Sequence, residues 1–137
     1  MPDNADKLYS DILTADRLRL AMMAAPGVFL RLLGDCFVTC HYGFGTEIHP
    51  DLQYVPMSVG TRWIDRFITD SLRRGIVVPG HSDFLFTTPG DRLEVLFCHE
   101  SDIHVNGKED DLIAQFIAAQ PFSDLHFRSG AQPEIAT

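Results

Sequence analysis

The stretch HSDFLFTTPGDRLEVLFCH, residues 81–99, decides the fold. Two runs rich in aromatic and β-branched residues flank Thr88-Pro89-Gly90-Asp91. Pro at the second place and Gly at the third suit a type II turn, so the stretch reads as a β-hairpin. With Thr88 facing Asp91, Phe86 pairs with Leu93, Phe84 with Val95 and Ser82 with Phe97, on a face that meets the core. The other face pairs Leu85 with Glu94, Asp83 with Leu96 and His81 with Cys98, and Glu100 follows on the same side. This reading gathers His81, Asp83, Cys98 and Glu100 into one patch, which His104 joins if the chain curls back. His99 is expected to point the other way, as a half-buried histidine.

Working outward, residues 106–120 show a helical period with Leu112, Ile113, Phe116 and Ile117 inward. Asn106 is expected to cap this helix, and Glu109, Asp110 and Asp111 suit its positive end. Pro121 stops it, and residues 124–128 read as an edge strand. On the N-terminal side, residues 58–74 read as a helix capped by Ser58 and ended by Gly75. Val59, Trp63, Ile64, Phe67, Ile68 and Leu72 form its inward stripe, which puts Trp63 in the core. Residues 76–78 and 52–55 read as short strands. Residues 6–25 carry Leu8, Ile12, Leu18 and Met22 at helical spacing, with Thr14 able to cap a second helix and Pro26-Gly27 ending it. Residues 28–42 read as two strands around Gly34-Asp35, with a short helix over 29–33 as the alternative.

Strands in hairpin pairs point to α+β: an antiparallel sheet of about four to six strands, with two or three amphipathic helices packed mainly on one face. The 137 residues suit one domain, with frayed tails over 1–5 and 129–137. No secretory signal or membrane-length apolar segment is visible, so a soluble, cytoplasmic protein is expected.

The net charge is −8. No basic run is present, which argues against nucleic-acid binding. The charge is polarised: Asp91, Glu94, Glu100, Asp102, Glu109, Asp110 and Asp111 lie close together against only Arg92 and Lys108. Residues 58–74 instead carry Arg62, Arg66, Arg73 and Arg74. Three cysteines without a signal peptide argue against a disulfide framework. Cys36 and Cys40 share a strand face about 13 Å apart, too far to grip one zinc.

Phosphate-binding, zinc-protease and nucleophile-elbow motifs are absent. Ser82, His81 and Asp83 are strand neighbours that point to opposite faces and make no triad. Asp102, Asn106 and Gly107 match part of a calcium loop, but His104 replaces an oxygen ligand and Ile113 replaces the bidentate Glu. These features favour a small, acidic, non-enzymatic binding module of inhibitor, immunity or adaptor type. Its partner is a protein with a basic surface, met through Glu94, Glu100, Asp102, Glu109, Asp110 and Asp111. No cofactor or metal is assigned. The alternative is a small metal- or thiol-dependent enzyme using His81, Asp83, Cys98, Glu100 and His104. Homodimerisation through a sheet edge or the Arg-rich helix is a third reading.

Overall fold

A computed structural model describes residues 7–129. The strands are β1 (Leu8–Tyr9), β2 (Phe37–Tyr42), β3 (Met57–Gly60), β4 (Phe84–Thr87), β5 (Glu94–Phe97), β6 (Ile103–Asn106) and β7 (Arg128–Ser129). The helices are α1 (Ala15–Leu33), α2 (Ile64–Arg73) and α3 (Asp110–Ala118). The architecture is α+β, with one seven-stranded antiparallel sheet in the order β3-β2-β4-β5-β6-β1-β7.

The 81–99 hairpin forms, and its two faces are those expected. Its register differs by two residues: Phe84 pairs with Phe97 and Phe86 with Val95. The Pro89-Gly90 turn keeps its Asp91 N–H to Thr88 O bond at 3.0 Å, with Gly90 at φ +72°. The strands, however, close one pair further out. The Thr88 N–H donates to Leu93 O at 3.0 Å, and the Leu93 N–H donates to Thr88 Oγ1 at 2.9 Å. Gly107 locks this tip from behind, because a Cβ on it would lie 2.3 Å from Arg92 O. A shift by an even number of residues leaves every side chain on its own face, which is why the core assignment holds.

Several elements differ from expectation, each for an identifiable reason. α1 runs straight through Pro26-Gly27 instead of ending there. Its stripe of Leu18, Ala21, Met22, Ala25, Val28 and Phe29 is buried on both sides of the proline, so packing extends the helix past a local breaker. Thr14 caps it, accepting from Arg17 N–H at 3.2 Å, and Gly34 ends it at φ +72°. Residues 28–33 are therefore helix, and only 37–42 of the expected strand pair is strand. Residues 8–9 are strand, not helix, because β6 supplies them with ladder partners.

Ser58 lies in β3 and caps nothing; a 3₁₀ turn over Thr61–Trp63 precedes α2. Trp63 faces outward at 60% exposure, with the Arg66 guanidinium 5.9 Å from its ring centre. The rest of the expected stripe holds: Ile64, Ile68 and Leu72 are buried, with Ser71 beside them, and Val59 and Phe67 pack against the core. The short strands expected at 52–55 and 76–78 do not form. Pro50–Leu52 is a 3₁₀ turn, and Ser71 O takes the N–H groups of both Ile76 and Val77. Asn106 ends β6 and does not cap α3, whose N-cap position is Glu109. The edge strand near 124–128 exists as Arg128–Ser129, so Ser129 pairs with Leu8. Of the frayed tails expected at 1–5 and 129–137, Ser129 is instead in β7, held by pairing with Leu8, and the remaining residues lie outside the described ones.

The helices cover one face of the sheet. Val38, Cys40, Phe84, Phe86, Val95, Phe97, Ile103 and Val105 are buried there. Phe29 of α1 packs on Phe86 at 5.8 Å and on Phe116 of α3 at 5.6 Å, and Phe67 of α2 packs on Phe84 at 5.8 Å. Each such ring contributes on the order of 1.5–3 kcal/mol by burial.

The opposite face holds the alternate residues. The registers align His41, Leu85, Leu96, His104 and Tyr9 in one row across β2, β4, β5, β6 and β1. A second row runs Ser58, Thr39, Thr87, Glu94 and Asn106. Leu85, Leu96 and Tyr9 are half-buried, and they neither belong to the core nor pack against it.

Candidate functional site

No helix among the described residues covers this second face, called the uncovered face below, and its rows continue past the strand ends at the β5–β6 turn. There the Cys98 N–H donates to Asp102 O at 2.9 Å, which keeps the two residues opposite each other. The Ser101 N–H donates to Cys98 O at 3.0 Å, and Ser101 takes φ +75°. This tight turn ends the strand alternation at Phe97. His99 therefore does not point away from the patch, as regular alternation requires. It folds onto Asp83, whose Oδ1 accepts the His99 backbone N–H at 2.7 Å and lies 2.9 Å from His99 Nδ1.

Four side chains, those of Asp83, His99, Asp102 and His104, meet around the Cys98 sulfur. Cys98 Sγ lies 3.8 Å from His99 Nδ1 and accepts the Glu100 N–H at 3.4 Å. On its other side, Asp102 Oδ1 lies 3.1 Å from His104 Nε2. The His104 ring stands edge-on to Tyr9 at 4.4 Å, and the His99 ring contacts Phe44 at 4.7 Å. Donor atoms of Asp83, Cys98 and His99 all lie within 4.8 Å of one another, as do those of Cys98, Asp102 and His104. In the adjacent row, His41 Nδ1 is buried without a hydrogen-bond partner among the described residues.

Burial pushes the Cys98 thiol up to about 12, and the negative charges of Asp102, Asp83 and Glu100 add to the shift. The Glu100 N–H acts in the other direction, more strongly than any one of these charges but less than burial. At neutral pH the sulfur keeps its proton, so the bare thiol is a poor nucleophile. Cys40, in the core, is likewise raised to about 12 by burial. All three cysteines are free.

Of the residues expected in the patch, Asp83, Cys98 and His104 come together. His81 and Glu100 are exposed and supply no donor to either group. His99 and Asp102 are the members that sequence reasoning placed elsewhere. The signal that identifies them is IHVN: Ile103 and Val105 are buried while His104 and Asn106 are not. Read as a strand, these residues turn 98–102 into a hairpin loop and bring Asp102 beside Cys98.

The expected acidic surface is divided. Glu94 accepts from Asn106 Nδ2 at 3.1 Å on the uncovered face, and Glu109 is bridged to Arg92 at 2.7 Å. Asp102 is taken up by His104. Glu100 is exposed at one end of β6, and Asp110 and Asp111 are exposed beyond the other end, about 13 Å of strand between them. Among the described residues, no helix is long and apolar enough to cross a membrane. Comparison with protein-family models, curated proteins and solved structures finds no match to this chain.

Proposed function

We propose that this protein is a binding module whose partner-facing surface is the uncovered face of the sheet. The observation that carries this reading is the row His41, Leu85, Leu96, His104 and Tyr9, an apolar centre flanked by rings and left outside the core. Asp83 and Asp102 border the row on one side and Glu94 on the other. The basic side chain across from Tyr9 is Arg128, already bound by Asp11. Such a face complements a protein surface with an apolar centre and a basic rim. Like charge keeps nucleic acid away from it. Binding to this partner weakens as salt screens the rim.

The test compares wild type with a Leu85→Glu/Leu96→Glu double variant as bait in the native cell extract at low salt. Both positions are half-buried outside the core, so the variant should keep a near-wild-type melting temperature. The expected result is one stoichiometric partner held by wild type, released by salt and absent from the variant. Recovery of the same partner in equal yield by the folded variant would exclude this face as the interface.

A further inference from the structure

We infer that Asp83, Cys98 and His99 form a site for one divalent transition-metal cation of the zinc class, held by a carboxylate, a thiolate and an imidazole. The inference is independent of the partner-binding proposal, since it concerns the turn that borders the sheet face and not the face itself. Nitrogen, oxygen and sulfur donors together suit a borderline-soft cation better than magnesium or calcium, which take oxygen alone.

The geometry is close to what a cation requires. Donors on a tetrahedral zinc lie about 3.4–3.6 Å from one another, as ordinary zinc–ligand bond lengths imply. Here His99 Nδ1 lies 2.9 Å from Asp83 Oδ1 and 3.8 Å from Cys98 Sγ, values that bracket that edge. The third pair of donors, on Asp83 and Cys98, lies within 4.8 Å, so side-chain rotation brings all three onto one ion. The backbone already fixes each donor. The Asp83 N–H donates to Phe44 O at 2.7 Å, and its carbonyl accepts the Gly43 N–H at 2.9 Å. Cys98 is held by Asp102 O, and His99 by its own N–H to Asp83.

One sulfur shared by two donor groups makes one site. The His99 side chain is 37% exposed, so a cation and a fourth, water ligand can reach this side. Asp83 and Asp102 are alike at 15% and 13% exposed, but the His104 side chain is only 17% exposed and its ring is held by Tyr9. Asp102 and His104 flank the site and do not ligate. On binding, the Cys98 thiol passes its proton to solvent and a sulfur–metal bond replaces it. The neighbouring carboxylates, which oppose a bare thiolate, favour the cation.

The test uses the full chain, purified without a histidine tag and stripped with a chelator, then titrated with Co²⁺. The expected result is a thiolate-to-cobalt charge-transfer band that saturates at one equivalent and is displaced by Zn²⁺. Cys98→Ser abolishes the band. Asp83→Asn and His99→Gln each weaken Co²⁺ binding by about tenfold or more, whereas His104→Gln leaves it within a few-fold. The absence of a band in folded wild type overturns the inference, as does cobalt binding without sulfur character. A band lost in His104→Gln but kept in His99→Gln would assign the ion to the other donor group and overturn the assignment made here.

Discussion

Cys98 shows how one side chain changes meaning between sequence and structure. Beside a histidine and two acids, it reads as a candidate nucleophile. Enclosed by the turn, its thiol is pushed up to about 12, mainly by burial. A thiol whose folded value exceeds its unfolded value of 9.0 holds its proton more tightly when folded. Stability from this source is complete below about pH 9 and is lost as pH rises toward 12. The core residue Cys40 behaves in the same way. In metal-free native protein at pH 8, Cys40 and Cys98 are expected to resist iodoacetamide, and both should label at once in urea. Peptide mass spectrometry reads this directly, and rapid native labelling of Cys98 at pH 8 would contradict the burial account. His99 was placed on the wrong side for a related reason. Strand alternation holds only while the strand lasts, and β5 ends at Phe97, so His99 already lies in the turn that Ser101 completes at φ +75°.

At the scale of elements, α1 sets local propensity against packing. A proline inside a helix costs about 3 kcal/mol, and the glycine after it about 1 more. Burying Val28 and Phe29, at about 1.5–3 kcal/mol each, offsets this, so the helix continues to Leu33. Gly27 itself is exposed, and a Cβ there would meet nothing within 4 Å. Gly27→Ala is therefore expected to stabilise the protein by about 0.5–1 kcal/mol in urea denaturation. A destabilised variant would mean that the helix is strained at Pro26-Gly27. α2 shows the opposite error. Its apolar period was legible, but its start was not, because Met57–Gly60 pairs with β2 and removes the first turn from the helix. Trp63 consequently falls on the solvent side of the new first turn.

At the scale of the whole molecule, the N-terminal segment holds the far edge of the sheet. β1 sits between β6 and β7, so among the described residues β1 is the strand that β7 pairs with. Ser10 adds hydrogen bonds in both directions with Ile103, and the Asp11 carboxylate binds His126 and Arg128. A chain beginning at Asp11 should keep its helices but lose protection over 125–129. Limited proteolysis is expected to cut there in the truncated chain and to spare the full one. Equal resistance in both chains would show that β1 is dispensable.

The sequence by itself determined what a short window of chain can encode. It fixed the two faces of the 81–99 hairpin, because alternation of Phe84, Phe86, Val95 and Phe97 survives a register shift of two. It fixed the inner stripe of α3, the Pro89-Gly90 turn, and Thr14 and Gly75 as signals of a helix start and a helix stop. The tertiary structure alone decided the strand at Leu8–Tyr9, the passage of α1 through proline, the outward turn of Trp63 and the meeting of His99 with Asp83. Each of these depends on partners far away in the chain, where burial and ladder hydrogen bonds outweigh local preference. The cluster around Cys98 belongs to this second group, since the sulfur and the four side chains around it converge only when two hairpins share one sheet.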